Sequence, residues 1–308
     1  MKVMGNIFRI VVVLAVFISG ATLAADGSQE VLVGGQARTF ALHVPDGTPP
    51  AGGFPVILAF HGGGMRGAGM ERMTGFNAVA DQDRFIVIYP DGIDKHWNDG
   101  RTTIKNPQDD VSFVAALLDQ IQRNYAVNRR QIFATGISNG ALFTERLGCD
   151  LSSRIAAIAP VAGSLPADLA PACRPAKPVA VMQINGMADP IMPYSGGWVE
   201  DFGGRGEGGQ VISVAETAAF WARHNGCAGE SKSVRLPAVV MSDPTRIVRT
   251  DYLSCPPVGK VAVLSVRGGG HVWPGNNLSF HPRITGQPSH QINASEVIAD
   301  FFLSLPKR

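Results

Sequence analysis

Gly136-Ile137-Ser138-Asn139-Gly140 places a serine in a G-x-S-x-G spacing, directly after the apolar run Gln131 to Thr135 and before a helix-like stretch, Ala141 to Leu147. A serine on a sharp strand-to-helix turn has its hydroxyl pushed out of the sheet, and flanking glycines let strand and helix approach closely. Such a turn presents a nucleophile, and a serine hydroxyl is weak until a base activates it. Of the seven histidines, His271 fits that role. It follows the apolar run Val261 to Val266 through Arg267-Gly268-Gly269-Gly270, which puts an imidazole at the carboxyl edge of a strand, where the serine also points. His43 falls within a strand, His224 ends a helix, His96, His281 and His290 sit in polar loops, and His61 is read as holding its own loop. The base must be neutral to act, so turnover should fall on acidification. An acid must orient the imidazole and stabilise its protonated form. Asp189 follows the run Val179 to Asn185, whereas Asp201, Asp243 and Asp251 lack a preceding apolar strand. A tetrahedral intermediate also needs donors for its oxygen. The amide of Asn139 supplies one, and Gly63 or Gly64, in the run His61-Gly62-Gly63-Gly64, supplies the second.

These residues must be positioned by alternating strands and helices. The sequence predicts an opening hairpin (Val31 to Val33 and Ala37 to Val44), strands over 55–60, 85–89, 131–135, 155–161, 179–185 and 261–266, and helices over 71–81, 109–125, 213–224 and 293–303. The helix over 109–125 is the clearest, with Val111, Val114, Leu118, Ile121 and Tyr125 at spacings of three and four. Continuous apolar strands between amphipathic helices imply an α/β fold with a mainly parallel central sheet and helices on both faces. No linker or repeat divides the chain.

The 308 residues are 45% hydrophobic, enough for a buried core, and the net charge of +2 gives no long-range field directed at nucleic acid or an acidic membrane. Lys2 and Arg9 precede the apolar run Ile10 to Ile18, and Thr22-Leu23-Ala24 offers small residues for cleavage after Ala24. Residues 1–24 are therefore read as a signal peptide and residues 25–308 as one catalytic domain, exported and without a membrane span once cleaved. In an oxidising compartment Cys149, Cys173, Cys227 and Cys255 form an even set. Three connectivities are open. Pairing Cys149 with Cys173 and Cys227 with Cys255 is preferred because it closes two short loops. No tight metal-ligand spacing occurs, and Gly204 to Gly209 satisfies G-x-G-x-x-G without a preceding strand, so neither a metal nor a dinucleotide cofactor is expected. Asn277-Leu278-Ser279 and Asn293-Ala294-Ser295 are glycan-acceptor patterns, meaningful only in a eukaryotic secretory route.

Taken jointly, several motifs resemble a known group. They are His61 to Gly64, Tyr89-Pro90-Asp91-Gly92 with Trp97-Asn98-Asp99-Gly100, the turn at Ser138, Ala159-Pro160-Val161-Ala162-Gly163, Asp189-Pro190 with Pro193-Tyr194, and Gly270-His271-Val272-Trp273-Pro274-Gly275. Over residues 31–303 the chain resembles the secreted α/β-hydrolase esterases that include polyhydroxybutyrate depolymerases and feruloyl or acetylxylan esterases. The order serine, aspartate, histidine is the one those hydrolases use. The resemblance implies the triad Ser138, Asp189 and His271, in agreement with the residue-level reading. It further implies that Trp97 and Trp273 lie near the acyl or aromatic part of the substrate.

The expected activity is that of a serine carboxylic-ester hydrolase acting on polymer-derived esters, either feruloyl or acetyl esters of polysaccharides or polyhydroxybutyrate-type esters. A serine peptidase on the same fold is the less favoured enzymatic alternative, and no propeller or cap segment selects peptides. A non-catalytic polymer-binding relative is disfavoured because nucleophile, acid and base are all present. The loops over 94–107 and 194–211 should set the pocket width and hence the ester accepted; oligomeric state is not legible.

Overall fold

The computed structural model describes residues 27–276 and 282–307. The signal-peptide reading of residues 1–24, the Asn277-Leu278-Ser279 pattern and His281 lie outside the described residues. The strands, in chain order, are β1 (Gly27–Val33), β2 (Gln36–His43), β3 (Phe54–Phe60), β4 (Ile86–Pro90), β5 (Val127–Ile137), β6 (Ala157–Val161), β7 (Ala180–Gly186), β8 (Gly197–Trp198), β9 (Gln210–Val211), β10 (Ser231–Arg235), β11 (Arg246–Tyr252) and β12 (Val261–Arg267). The helices are α1 (Gly67–Thr74), α2 (Phe76–Asp83), α3 (Asp110–Asn124), α4 (Asn139–Asp150), α5 (Val214–His224), α6 (Pro282–Thr285) and α7 (Ala294–Leu303).

Ten strands form one sheet in the order β1-β2-β4-β3-β5-β6-β7-β12-β11-β10, and β8 and β9 form a separate small ladder. The centre, from β4 to β12, is parallel, and antiparallel strands close both edges. β3, β4, β6 and β7 are buried along their whole length, as continuous apolar runs require when helices cover both faces. One face carries α3, α4 and α5 through Phe113, Leu117, Phe143, Leu147, Ala218 and Trp221. The other carries α1, α2 and α7 through Met70, Met73, Phe76, Ile298 and Phe302.

Two departures from the sequence reading have local causes. The helix expected over 71–81 is two short helices, because Gly75 adopts φ 60° and its amide caps α1 by donating to the Glu71 carbonyl. β10 and β11 were not expected. Every residue of β10 is exposed, so no apolar pattern marks it, and it is ordered through its pairing with β11. Asp109 caps α3, accepting a bond from the Ser112 amide, while Asp110 turns inward to an ion pair with Arg38 at 2.7 Å.

Candidate active site

Ser138 sits between β5 and α4 with φ 57° and ψ −126°, a backbone conformation costly for any residue with a Cβ. The flanking glycines permit it: a Cβ on Gly140 would lie 2.4 Å from the carbonyl oxygens of Phe60 and His61, and one on Gly136 would lie 2.5 Å from the Gly140 carbonyl oxygen. The turn therefore presses directly on the end of β3.

That end of β3 continues into the glycine run. His61 is fully buried; its Nδ1 donates to the Gly62 carbonyl at 2.8 Å and its Nε2 accepts the Gly92 amide at 3.0 Å. Burial pushes its pKa down to about 4, so the ring is a neutral brace, as its local role required. The Gly64 amide donates to the Lys95 carbonyl at 2.9 Å, which corrects the expectation that it could serve a substrate oxygen. Neither the Gly63 amide nor the Asn139 amide donates to another described residue. The Asn139 side chain is itself clamped. Its Oδ1 accepts the Trp97 amide at 2.8 Å, and its Nδ2 donates to the Trp97 carbonyl at 2.9 Å and to Asp99 at 2.8 Å. Asp99 is held in turn by Arg101 in a buried ion pair at 2.7 Å. The Trp97 to Gly100 motif thus positions the residue after the serine.

His271 Nδ1 lies 2.8 Å from Asp189 Oδ2, and the two side chains are 9% and 1% exposed. The second oxygen of Asp189 accepts the amides of Ile191 and Met192, both at 2.8 Å. The loop carrying His271 crosses the end of β7, and only Gly186 gives it room: a Cβ there would meet the Gly269 and Gly270 carbonyl oxygens at 2.4 and 2.3 Å. Ser138, Gly63, Gly64 and Asn139 line one cavity of about 430 Å³ together with His96, Arg101, Ile191, Met192, Val199, Glu200, Phe202 and residues 205–208. Residues from both expected loops thus form its walls. Ile191 and Met192 join the serine's cavity to the aspartate–histidine pair. Among the described residues, no hydrogen bond links the Ser138 hydroxyl to the His271 ring.

The structure corrects the expectation for the two tryptophans. Trp97 is fully buried and stacks on Phe143 with ring centroids 5.2 Å apart, donating from Nε1 to the His61 carbonyl. Trp273 is 2% exposed, packs edge-on against Phe76 and donates to Ser295. Both indoles are buried in packing contacts. His96 lies in a loop, as expected, and that loop sets it against Gly63, where an added Cβ would come within 2.9 Å of its Nε2. Nothing in its sequence neighbourhood signals that contact.

Comparison with known proteins extends the geometry. No family model matches the chain. NocK from Nocardia uniformis subsp. tsuyamanensis, provisionally named an esterase, is 31% identical across 91% of this chain and 83% of its own length. The chain belongs to the α/β-hydrolase esterase superfamily. Within this superfamily, feruloyl esterase C from Emericella nidulans is 26% identical across 85% of this chain and 89% of its own. Among solved structures, the acetyl xylan esterase from Aspergillus awamori superposes with a TM-score of 0.57 at 15% identity, covering 83% of this chain and 96% of its own, a likeness of fold. The mixed, mostly parallel sheet with helices on both faces is the α/β-hydrolase arrangement. Cys149 pairs with Cys173 and Cys227 with Cys255, the nearest-neighbour connectivity.

Proposed function

We propose that this α/β-hydrolase is an exported serine esterase that works through an acyl-enzyme on Ser138. The observation that carries the reading is the joint geometry of a strained elbow serine opening into a cavity, two undonated amides beside it, and a buried aspartate holding a histidine at 2.8 Å. His271 Nε2 takes the proton of Ser138 Oγ as that oxygen attacks the ester carbonyl carbon. The Asn139 and Gly63 amides receive the charge that develops on the carbonyl oxygen. The carbon–oxygen bond to the alcohol breaks as His271 returns the proton to the leaving oxygen. Water, deprotonated by the same imidazole, then releases the acid and restores Ser138. The serine and histidine must come into hydrogen-bond reach for the first step; catalytic contacts of this kind are commonly long before substrate binds and shorten in the complex.

The substrates are polymer-derived esters, feruloyl or acetyl groups on polysaccharides or short hydroxyalkanoates. The relatives named as feruloyl esterases support this reading, as does a cavity with Arg101, Glu200, Arg205 and Glu207 in its wall, which suits a polar polymer fragment. Two disulfides support export. The test is hydrolysis of a nitrophenyl ester by the wild type and by Ser138→Ala, followed by methyl ferulate, acetylated xylan and hydroxybutyrate oligomers in parallel. Loss of at least about 10³-fold in kcat for the variant is expected. Turnover by Ser138→Ala at the wild-type rate would sink the proposal.

A further inference from the structure

Three arginines converge on one face of the sheet across β10, β11 and β12. In the ladder, Arg246 of β11 stands directly opposite Arg267 of β12, and Arg235 of β10 stands opposite Val248. Side chains alternate along a strand, so Arg246 and Val248 share a face, and the register puts Arg235 and Arg267 on that same face. The three guanidinium-bearing side chains line a cavity of about 340 Å³ whose remaining walls are Pro244 and Gly268.

Among the described residues, no carboxylate lines that cavity. The nearest acid in sequence, Asp243, is turned inward, accepting the Thr245 amide and hydroxyl and the His290 amide. Arg246 is oriented by donating to the Asp243 and Thr245 carbonyls, both at 2.6 Å, bonds that leave its charge uncompensated. The side chains of Arg235 and Arg267 have no hydrogen-bond or ion-pair partner among the described residues. Like charges directly opposite each other in an antiparallel ladder are destabilising. Here the fold carries such a pair, adds a third cation, and fixes one guanidinium in place. Planar guanidinium forks match the oxygens of carboxylate, sulfate and phosphate groups.

We propose that Arg235, Arg246 and Arg267 form a binding site for a carboxylate, sulfate or phosphate group. The anion site itself does not depend on the esterase reading, whereas a polymer source for the anion rests on it. The site is also near the proposed chemistry: His271 follows Arg267 by four residues, which limits the chain between them to about 14 Å. The anion therefore comes from one of two sources, a free small anion or an acidic unit of the polymer that carries the ester.

The experiment is calorimetric titration of the purified protein, at low ionic strength, with sulfate, inorganic phosphate and trigalacturonate, and with xylotriose as a neutral control. Saturable binding of at least one anion, and none of xylotriose, is expected. In the Arg235→Gln/Arg267→Gln double variant, and separately in Arg246→Gln, that binding should weaken by about tenfold or more. The double variant removes side chains with no partner among the described residues, and unchanged turnover of a small neutral ester shows that its fold is intact. Trigalacturonate binding about tenfold tighter than the small anions assigns the site to a polymer-borne acid, through the gain expected from several charges on one ligand. Equal affinities assign it to a free anion. Absence of saturable binding by all three anions, or binding unchanged in both variants, overturns the proposal.

Discussion

Asp189 divides its two oxygens between two tasks. Oδ2 meets the His271 ring, and Oδ1 accepts the amides of Ile191 and Met192, which line the serine's cavity. The carboxylate thus ties the imidazole to the pocket wall through a single group. Asp189→Asn can keep the loop bonds through its carbonyl oxygen. Its amide then faces His271 Nδ1 with a donor, so the ring must present a lone pair there and carry its proton on Nε2, where the base is needed. We expect kcat to fall by about 10³- to 10⁴-fold with KM little changed. Steady-state kinetics on a nitrophenyl ester decides it, and a kcat within tenfold of wild type would move the acid to another residue. Ser138, Asp189 and His271 stand out in the sequence because each follows an apolar strand at the sheet's carboxyl edge, and the structure sets the last two 2.8 Å apart. The engagement of Gly64 was not legible, since the Lys95 carbonyl that takes its amide lies thirty-one residues away. The tryptophans misled for a related reason: proximity to a site in sequence does not say which side of the backbone the indole takes.

At the scale of elements, the parallel core was readable because β3, β4, β6 and β7 are unbroken apolar runs. β10 and β11 were not, because their order comes from pairing at an open edge rather than from burial. Close approaches between elements were legible only as glycines without assigned neighbours. Gly186 is the instructive case, where β7 ends beneath the loop that carries His271. Gly186→Ala adds one methyl group that neither touches substrate nor titrates, but it must displace the Gly269 and Gly270 carbonyls. Misplacement by about 1 Å costs on the order of 10²-fold in rate. A loss of that size in kcat is expected, with the circular dichroism spectrum retained. Full activity in this variant would show that the loop has slack.

Across the whole molecule, two buried titratable groups pull stability in opposite directions with pH. Burial lowers the His61 pKa from 6.5 to about 4, so the unfolded chain takes up a proton that the native state refuses. Its contribution is complete above pH 6.5 and is lost as pH falls toward 4. Burial raises the Glu145 pKa from 4.5 to about 8, against the opposing effect of the Trp221 indole that donates to its Oε2 at 2.6 Å. Holding that carboxyl neutral is harmless below pH 4.5 and costs progressively more as pH rises toward 8, reaching about 3 kcal/mol at pH 7. Glu145→Gln keeps an oxygen for Trp221 and removes the titration. Urea midpoints should therefore stop declining between pH 5 and 8 in the variant, while the acid-side fall persists. An identical pH profile in both proteins would show that Glu145 does not set the alkaline limb.

The φ of 57° at Ser138 has a consequence for selection under heat. Glycine adopts that conformation freely, so Ser138→Gly should melt higher than its parent, by an amount equivalent to roughly 1–2 kcal/mol, while hydrolysing nothing. A screen that rewards endurance alone would drift toward the inert protein. Differential scanning calorimetry of the two chains would expose that bias, and a lower melting point for the glycine variant would mean that the hydroxyl, not the backbone, was holding the turn.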